Sequence, residues 1–150
     1  MNRILVEVSV GELLDKISIL EIKKEKIKDP EKLKFINDEY AILKGQLEQN
    51  VKSDDKLDKL FQSLKTINAK LWVIEDDKRM CEKNSDFTEN FIKLSRDIHF
   101  FNDDRAKIKL EMNNHTGSKI KEIKEYTSYW KLYFFSKNLI KLWIKKVINR

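Results

Sequence analysis

Apolar residues recur every three or four positions through most of this chain, which is the period of helices with one buried face. The first series is Val10, Leu13, Leu14, Ile17, Leu20 and Ile27. Before it stands Ser9-Val-Gly-Glu12, a capping-box signature, so a helix is expected from about Val10 to Lys28. Asp29-Pro30 stops that helix and starts the next, with aspartate as N-cap and proline in the first turn. The second series, Leu33, Ile36, Tyr40, Leu43 and Leu47, predicts a helix over about 30–49. A loop follows at 50–54. Leu57, Leu60, Phe61, Leu64, Ile67, Leu71 and Ile74 then predict a long helix over about 55–83. Asn84-Ser85-Asp86 is a turn cluster. The fourth helix is expected from Asp86 or Thr88 to about Asn114, ended by Thr116-Gly117-Ser118. The segment 119–127 is ambiguous between helix and extended chain. A fifth helix is expected from about Ser128 to Ile148. At the N-terminus Ile4, Val6 and Val8 alternate, as in a short strand or extended arm. Short connections favour antiparallel neighbours. The expected fold is therefore all-α, an antiparallel bundle of four to five helices, with residues 1–128 as the bundle and 129–150 as a separate basic aromatic helix.

Composition supports this reading. In 150 residues there are three glycines and one proline, and 37% of the chain is charged. Glycines at 11, 45 and 117 make neither a phosphate loop nor a dinucleotide fingerprint. One cysteine, Cys81, excludes an intramolecular disulfide framework and fits a reducing compartment. No secretory signal and no 18-residue apolar run is visible. The expected location is cytoplasmic, with peripheral membrane contact open. The net charge of +6 sits in the tail: residues 119–150 carry +7 and the remainder −1. A basic stripe across the whole fold is thus missing, and nucleic acid is disfavoured as a partner.

Polar residues break the apolar series at a few positions. Asn68, Trp72, Glu75 and Arg79 fall on one face of the third helix. Arg105 sits inside the series Phe91, Leu94, Ile98, Phe101, Ile108 and Met112 of the fourth. Buried charge is costly unless it is paired and hydrogen-bonded. Across an antiparallel hairpin, Arg105 is expected to pair with Glu75 or Asp76. Arg79, Arg105, Lys109 and Lys16 could then face a small anion, with Asn68, Trp72 and Asn102 alongside, because guanidinium forks suit phosphate and carboxylate. Glu75 or Asp76 would orient these cations or act as acid/base. The competing reading is a structural network that fixes helix register, in a non-enzymatic assembly module. The pattern does not decide whether a reaction exists.

Other chemistries are weaker. Glu12 and Asp15 form an acidic i, i+3 pair of the type that holds magnesium in all-α nucleotide pyrophosphohydrolases, but such sites need several acids converging from separate helices. No metal and no cofactor is therefore expected. Within 129–150, Lys131, Asn138, Lys141 and Lys145 line one face, while Trp130, Tyr133, Ile140, Ile144 and Val147 line another. That pattern suits an anionic membrane surface, a protein partner, a second copy in a homodimer, or burial against the bundle.

Four blocks carry a family resemblance. They are Val6-Glu-Val-Ser-Val-Gly-Glu-Leu-Leu-Asp15-Lys with Ile19-Leu-Glu-Ile-Lys23, Leu71-Trp-Val-Ile-Glu-Asp76 with Arg79, Asn102-Asp103-x-Arg105-Ala106-x-x-Lys109, and Gly117-Ser118 with Glu122-x-Lys124-x-Tyr126. Together they resemble a family of small bacterial helical proteins of unassigned function, over about residues 4–129. Its members are often encoded beside glycosyltransferases. The resemblance implies a link to cell-surface polysaccharide and a ligand related to sugar nucleotides, by association only. Ile123 departs from the family, which has a second acid there, and 130–150 extends beyond the family's usual end.

Overall fold

The computed structural model describes residues 4–125. Four α-helices follow one another: α1 Val10–Lys26, α2 Pro30–Asn50, α3 Asp55–Lys83 and α4 Glu89–Thr116. The fold is all-α, as the periodicity predicts. Residues 4–9 form neither helix nor strand, and Ile4, Leu5 and Val6 are exposed, so the arm alternative describes them and the strand does not. Residues 118–125 form neither helix nor strand. The expected fifth helix lies outside the described residues.

Local chemistry sets the helix ends. Ser9 Oγ accepts from the Glu12 N–H at 3.1 Å, and Asp29 Oδ1 accepts from the Glu31 and Lys32 N–H groups. Asp54 Oδ1 accepts from the Leu57 N–H at 2.8 Å. Each such bond satisfies a donor that has no partner inside the helix. Asp86 accepts from both the N–H and the hydroxyl of Thr88, the residue before α4. Gly117 closes α4 in the left-handed conformation, at φ 68°.

The long α3 and α4 pack antiparallel. Lys78 lies over Phe91, Lys70 over Phe101, and Lys56 pairs with Glu111. α1 packs against each of the other three helices. It runs antiparallel to α4, since Gly11 meets Asn113 while Asp15 meets Arg105. Leu14, Leu57, Leu64 and Met112 form the apolar core, with Val10, Leu47, Val51, Leu60, Phe61 and Ile108 around it. α2 packs against α1, and Ile36 is its one buried residue.

The aspartate caps make stability acid-sensitive. Asp29 and Asp54 are held below the ordinary value of 3.8 chiefly by backbone N–H donors, and Asp86 chiefly by the Thr88 hydroxyl. A depressed folded value means that the contribution is present above about pH 4 and is lost as pH falls through the lowered value. Chemical denaturation at pH 7 and pH 3 should therefore show an acid loss. The triple variant D29N/D54N/D86N, whose caps cannot ionise, should show a smaller one. An equal loss in both proteins would remove the caps as its cause.

Candidate functional site

Gly11, Asp15 and Ser18 are spaced i, i+4, i+7 and lie on the buried face of α1. Gly11 lets α4 approach closely: a Cβ there would stand 2.6 Å from the backbone oxygen of Lys109. The Gly11 N–H donates to Asn113 Oδ1 at 2.7 Å, in a buried bond between the two helices. Past that contact, Asp15 faces both α3 and α4.

Asp15 is 2% exposed, and its carboxylate is well partnered. Arg105 grips it side-on, with Nε donating to Oδ1 at 2.9 Å and Nη2 donating to Oδ2. Asn68 Nδ2 donates to Asp15 Oδ1 at 2.8 Å and to Ser18 Oγ at 2.7 Å. Ser18 in turn donates to the Asp15 backbone oxygen. Lys109 Nζ stands 3.8 Å from Asp15, 2.6 Å from Glu12 and 3.2 Å from Glu122. The hydrogen bond to Asp15 raises the pKa of Arg105. Burial pulls Lys109 down, but Glu12, Asp15 and Glu122 outweigh it and leave its pKa raised. Glu122 is pushed up by burial and more strongly down by Lys124 and Lys109. Both cations are thus held charged by acids from α1 and from the chain after α4.

This arrangement corrects the expected pairing. Arg105 bonds to Asp15 of α1 rather than to Glu75 or Asp76 of α3. The hairpin-height argument compared α3 with α4 alone, whereas α1 presents a buried carboxylate to Arg105. Arg79 is exposed and folds back on its own helix, with Nη1 3.1 Å from the Glu75 backbone oxygen and 3.6 Å from Glu75 Oε2. Lys16 is exposed, on α1 positions away from the buried face, and Asn102 is half-buried. Lys109 is bound between carboxylates. Of the four proposed cations, only Arg79 and Arg105 line a common cleft. Glu12 and Asp15 both receive lysine or arginine donors, and among the described residues no three His, Cys, Asp or Glu side chains converge as metal ligands.

The cleft holds about 370 Å³. Ile19, Ile22 and Leu71 give it apolar walls, Trp72 lies half-buried beside them, and Asn68 and Arg105 reach it from the network. Glu75, Asp76 and Arg79 form its outer part. Arg105 therefore touches two environments: one edge of its guanidinium is committed to Asp15, and three of its five N–H donors remain. A second cleft of about 430 Å³ lies where the α2–α3 loop meets the end of α4, with Asp54 and His115 paired at 2.8 Å in its wall. Among the described residues no helix is long and apolar enough to cross a membrane.

Sequence reasoning missed Ser18 and Asn113, and it set Asp15 beside the polar face as a possible third wall, with Glu12 and Lys16, without naming it as the partner of Arg105. The available signal was the i, i+4, i+7 row Gly11, Asp15, Ser18, three small or polar residues on a face flanked by Leu14, Ile17 and Ile22.

Fold and site define a class: an all-α protein in which α1, α3 and α4 share one buried ion-pair and hydrogen-bond network. The chain belongs to DUF6165, a family of unknown function, whose model matches residues 4–138. The match continues past residue 129, into the segment expected to extend beyond the family's end. No curated protein and no solved structure matches the chain.

Proposed function

We propose that the cleft beside Trp72 binds a small anionic molecule that also carries hydroxyl groups, of which sugar phosphates and sugar nucleotides are the fitting class. The observation that carries this reading is the divided role of Arg105. A buried carboxylate fixes one edge of the guanidinium, so the donors that remain are pre-oriented at the cleft without further loss of side-chain freedom. The rim is balanced in charge, Arg79 and Arg105 against Glu75 and Asp76. A bare anion would meet the two acids. A phosphorylated sugar would place its phosphate on the arginines and offer hydroxyl donors to the carboxylates. Trp72 supplies a flat apolar surface for a ring. The volume suits a small ligand. The resemblance to proteins encoded beside glycosyltransferases supports the choice of sugar phosphates as first probes. Glu75 and Asp76 remain the candidates for acid/base work should a reaction occur here.

The test is calorimetric titration of the full chain with glucose 1-phosphate and UDP-glucose. Saturable binding is expected. It should weaken by about tenfold or more in Arg105→Lys, which keeps the charge and loses the fork, and in Arg79→Ala. No heat with either compound at millimolar concentration would overturn the reading.

A second reading has its own support. The buried Asp15 carboxylate joins Asn68 of α3 to Arg105 and Lys109 of α4, and a network of this kind can have helix register as its whole role. In that case Arg105→Lys alters stability and no probe binds.

A further inference from the structure

We infer that Asn68 sets ligand specificity in the cleft. Its amide oxygen accepts from the hydroxyl next to the phosphate, which makes an aldose 1-phosphate with a free 2-hydroxyl the preferred ligand. The inference rests on the reading that the cleft binds a sugar phosphate, and goes beyond it by naming the group recognised beside the anion.

The buried network fixes which way the Asn68 amide points. Nδ2 uses both its hydrogens, one on Asp15 Oδ1 at 2.8 Å and one on Ser18 Oγ at 2.7 Å. A flipped amide would set Oδ1 against the Asp15 carboxylate and against a Ser18 hydroxyl whose hydrogen already goes to the Asp15 backbone oxygen. Three acceptors would then meet with no hydrogen between them, so only one orientation is stable. That orientation leaves Oδ1 without a partner: among the described residues no group donates to it. Asn68 is 6% exposed, a buried residue. Yet among the described residues the one fully buried side-chain polar atom without a partner is Ser95 Oγ, so Asn68 Oδ1 is not sealed off. The space that Asn68 borders is the cleft.

Arg105 stands beside this acceptor. Its Nε and Asn68 Nδ2 both donate to Asp15 Oδ1, so the two nitrogens lie within about 6 Å of each other. The cleft wall therefore presents guanidinium donors and an amide acceptor side by side, both held by one carboxylate. A phosphate dianion meets the donors but cannot satisfy the acceptor, because its oxygens only accept. A ligand that covered Oδ1 with an apolar or accepting group would strip its water and leave a buried acceptor unpaired. A hydroxyl on the carbon next to the phosphoester carbon donates to it instead. In an aldose 1-phosphate that group is the 2-hydroxyl. Trp72, one turn along α3, borders the same space and offers its face to the sugar ring.

The test compares three ligands by calorimetric titration of the full chain: glucose 1-phosphate, 2-deoxyglucose 1-phosphate and 2-deoxy-2-fluoroglucose 1-phosphate. Both analogues are expected to bind at least about tenfold more weakly than glucose 1-phosphate. The fluoro sugar belongs with the deoxy sugar because fluorine keeps the polarity of the hydroxyl but cannot donate. The Asn68 Cγ carbon signal should move on saturation with glucose 1-phosphate and stay in place with saturating 2-deoxyglucose 1-phosphate. If glucose 1-phosphate does not bind, the cleft reading falls and this inference with it. If all three bind equally, or the fluoro sugar matches glucose 1-phosphate, the cleft reading stands and the inference on Asn68 is overturned. An Asn68 signal that moves equally with both sugars, or with neither, overturns it as well.

Discussion

Arg105→Met is expected to destabilise the protein by about 3 kcal/mol, the lower end of what breaking a buried ion pair costs. The loss arises at Asp15. With Arg105 gone, a carboxylate 2% exposed retains Asn68 and a lysine 3.8 Å away, against its previous side-on guanidinium. Lys109 cannot simply take over, because Glu12 and Glu122 already hold it at 2.6 and 3.2 Å. The double variant Asp15→Leu/Arg105→Met removes both charges and should lose less than the two single losses combined, with a coupling of about 2 kcal/mol. Denaturant midpoints of the four proteins in the cycle measure this. Additive losses would mean that the two residues act independently, which the shared hydrogen bonds do not allow.

Gly11→Ala should cost about 2–3 kcal/mol, as overpacking between two backbones does. Helix propensity alone predicts the opposite sign, a gain of roughly 0.5–1 kcal/mol. The new Cβ would lie 2.6 Å from the Lys109 carbonyl oxygen and 3.0 Å from Asn113 Oδ1. Neither neighbour yields cheaply. Moving α4 away stretches the Gly11–Asn113 hydrogen bond, and farther along the same helix pair it strains Asp15–Arg105. Gly45 supplies the control, since a Cβ there meets nothing within 4 Å. Gly45→Ala should stabilise by helix propensity, and urea melts of both variants should move in opposite directions. A neutral or stabilising Gly11→Ala would show that α1 and α4 are not held at this separation.

The helices were legible because their signals are local. Ser9, Asp29-Pro30, Asp54 and Gly117 act on neighbours within a few residues, and the ends of α1 to α4 fall within a few positions of those signals. Asn68 and Arg105 were legible as polar intrusions in apolar series. Their partner was not. Which acid meets Arg105 depends on the rotation of α1 about its axis, and that rotation is set by how closely α4 can approach Gly11. Asp15 reads as part of an acidic pair until the i, i+4, i+7 row with Gly11 and Ser18 is recognised. Lys109 shows the converse. As a basic residue one turn beyond Arg105 it looks like a ligand group, yet Glu122, from an irregular segment after α4 whose placement has no local signal, joins Glu12 in neutralising it. Arg79 lies on the outer part of the cleft, paired with its own helix.

The central claim is that Arg105 serves two partners at once, Asp15 in the interior and an anion in the cleft. Side-chain nitrogen NMR of the full chain observes both together. The Arg105 Nε–H signal, hydrogen-bonded to Asp15, should be protected from exchange before any addition. Titration with glucose 1-phosphate should then move the Arg105 Nη and Trp72 indole signals along one saturable curve. Arg105 and Trp72 signals that do not move at millimolar glucose 1-phosphate, with Nε–H still protected, would contradict the claim and leave the network a purely structural one.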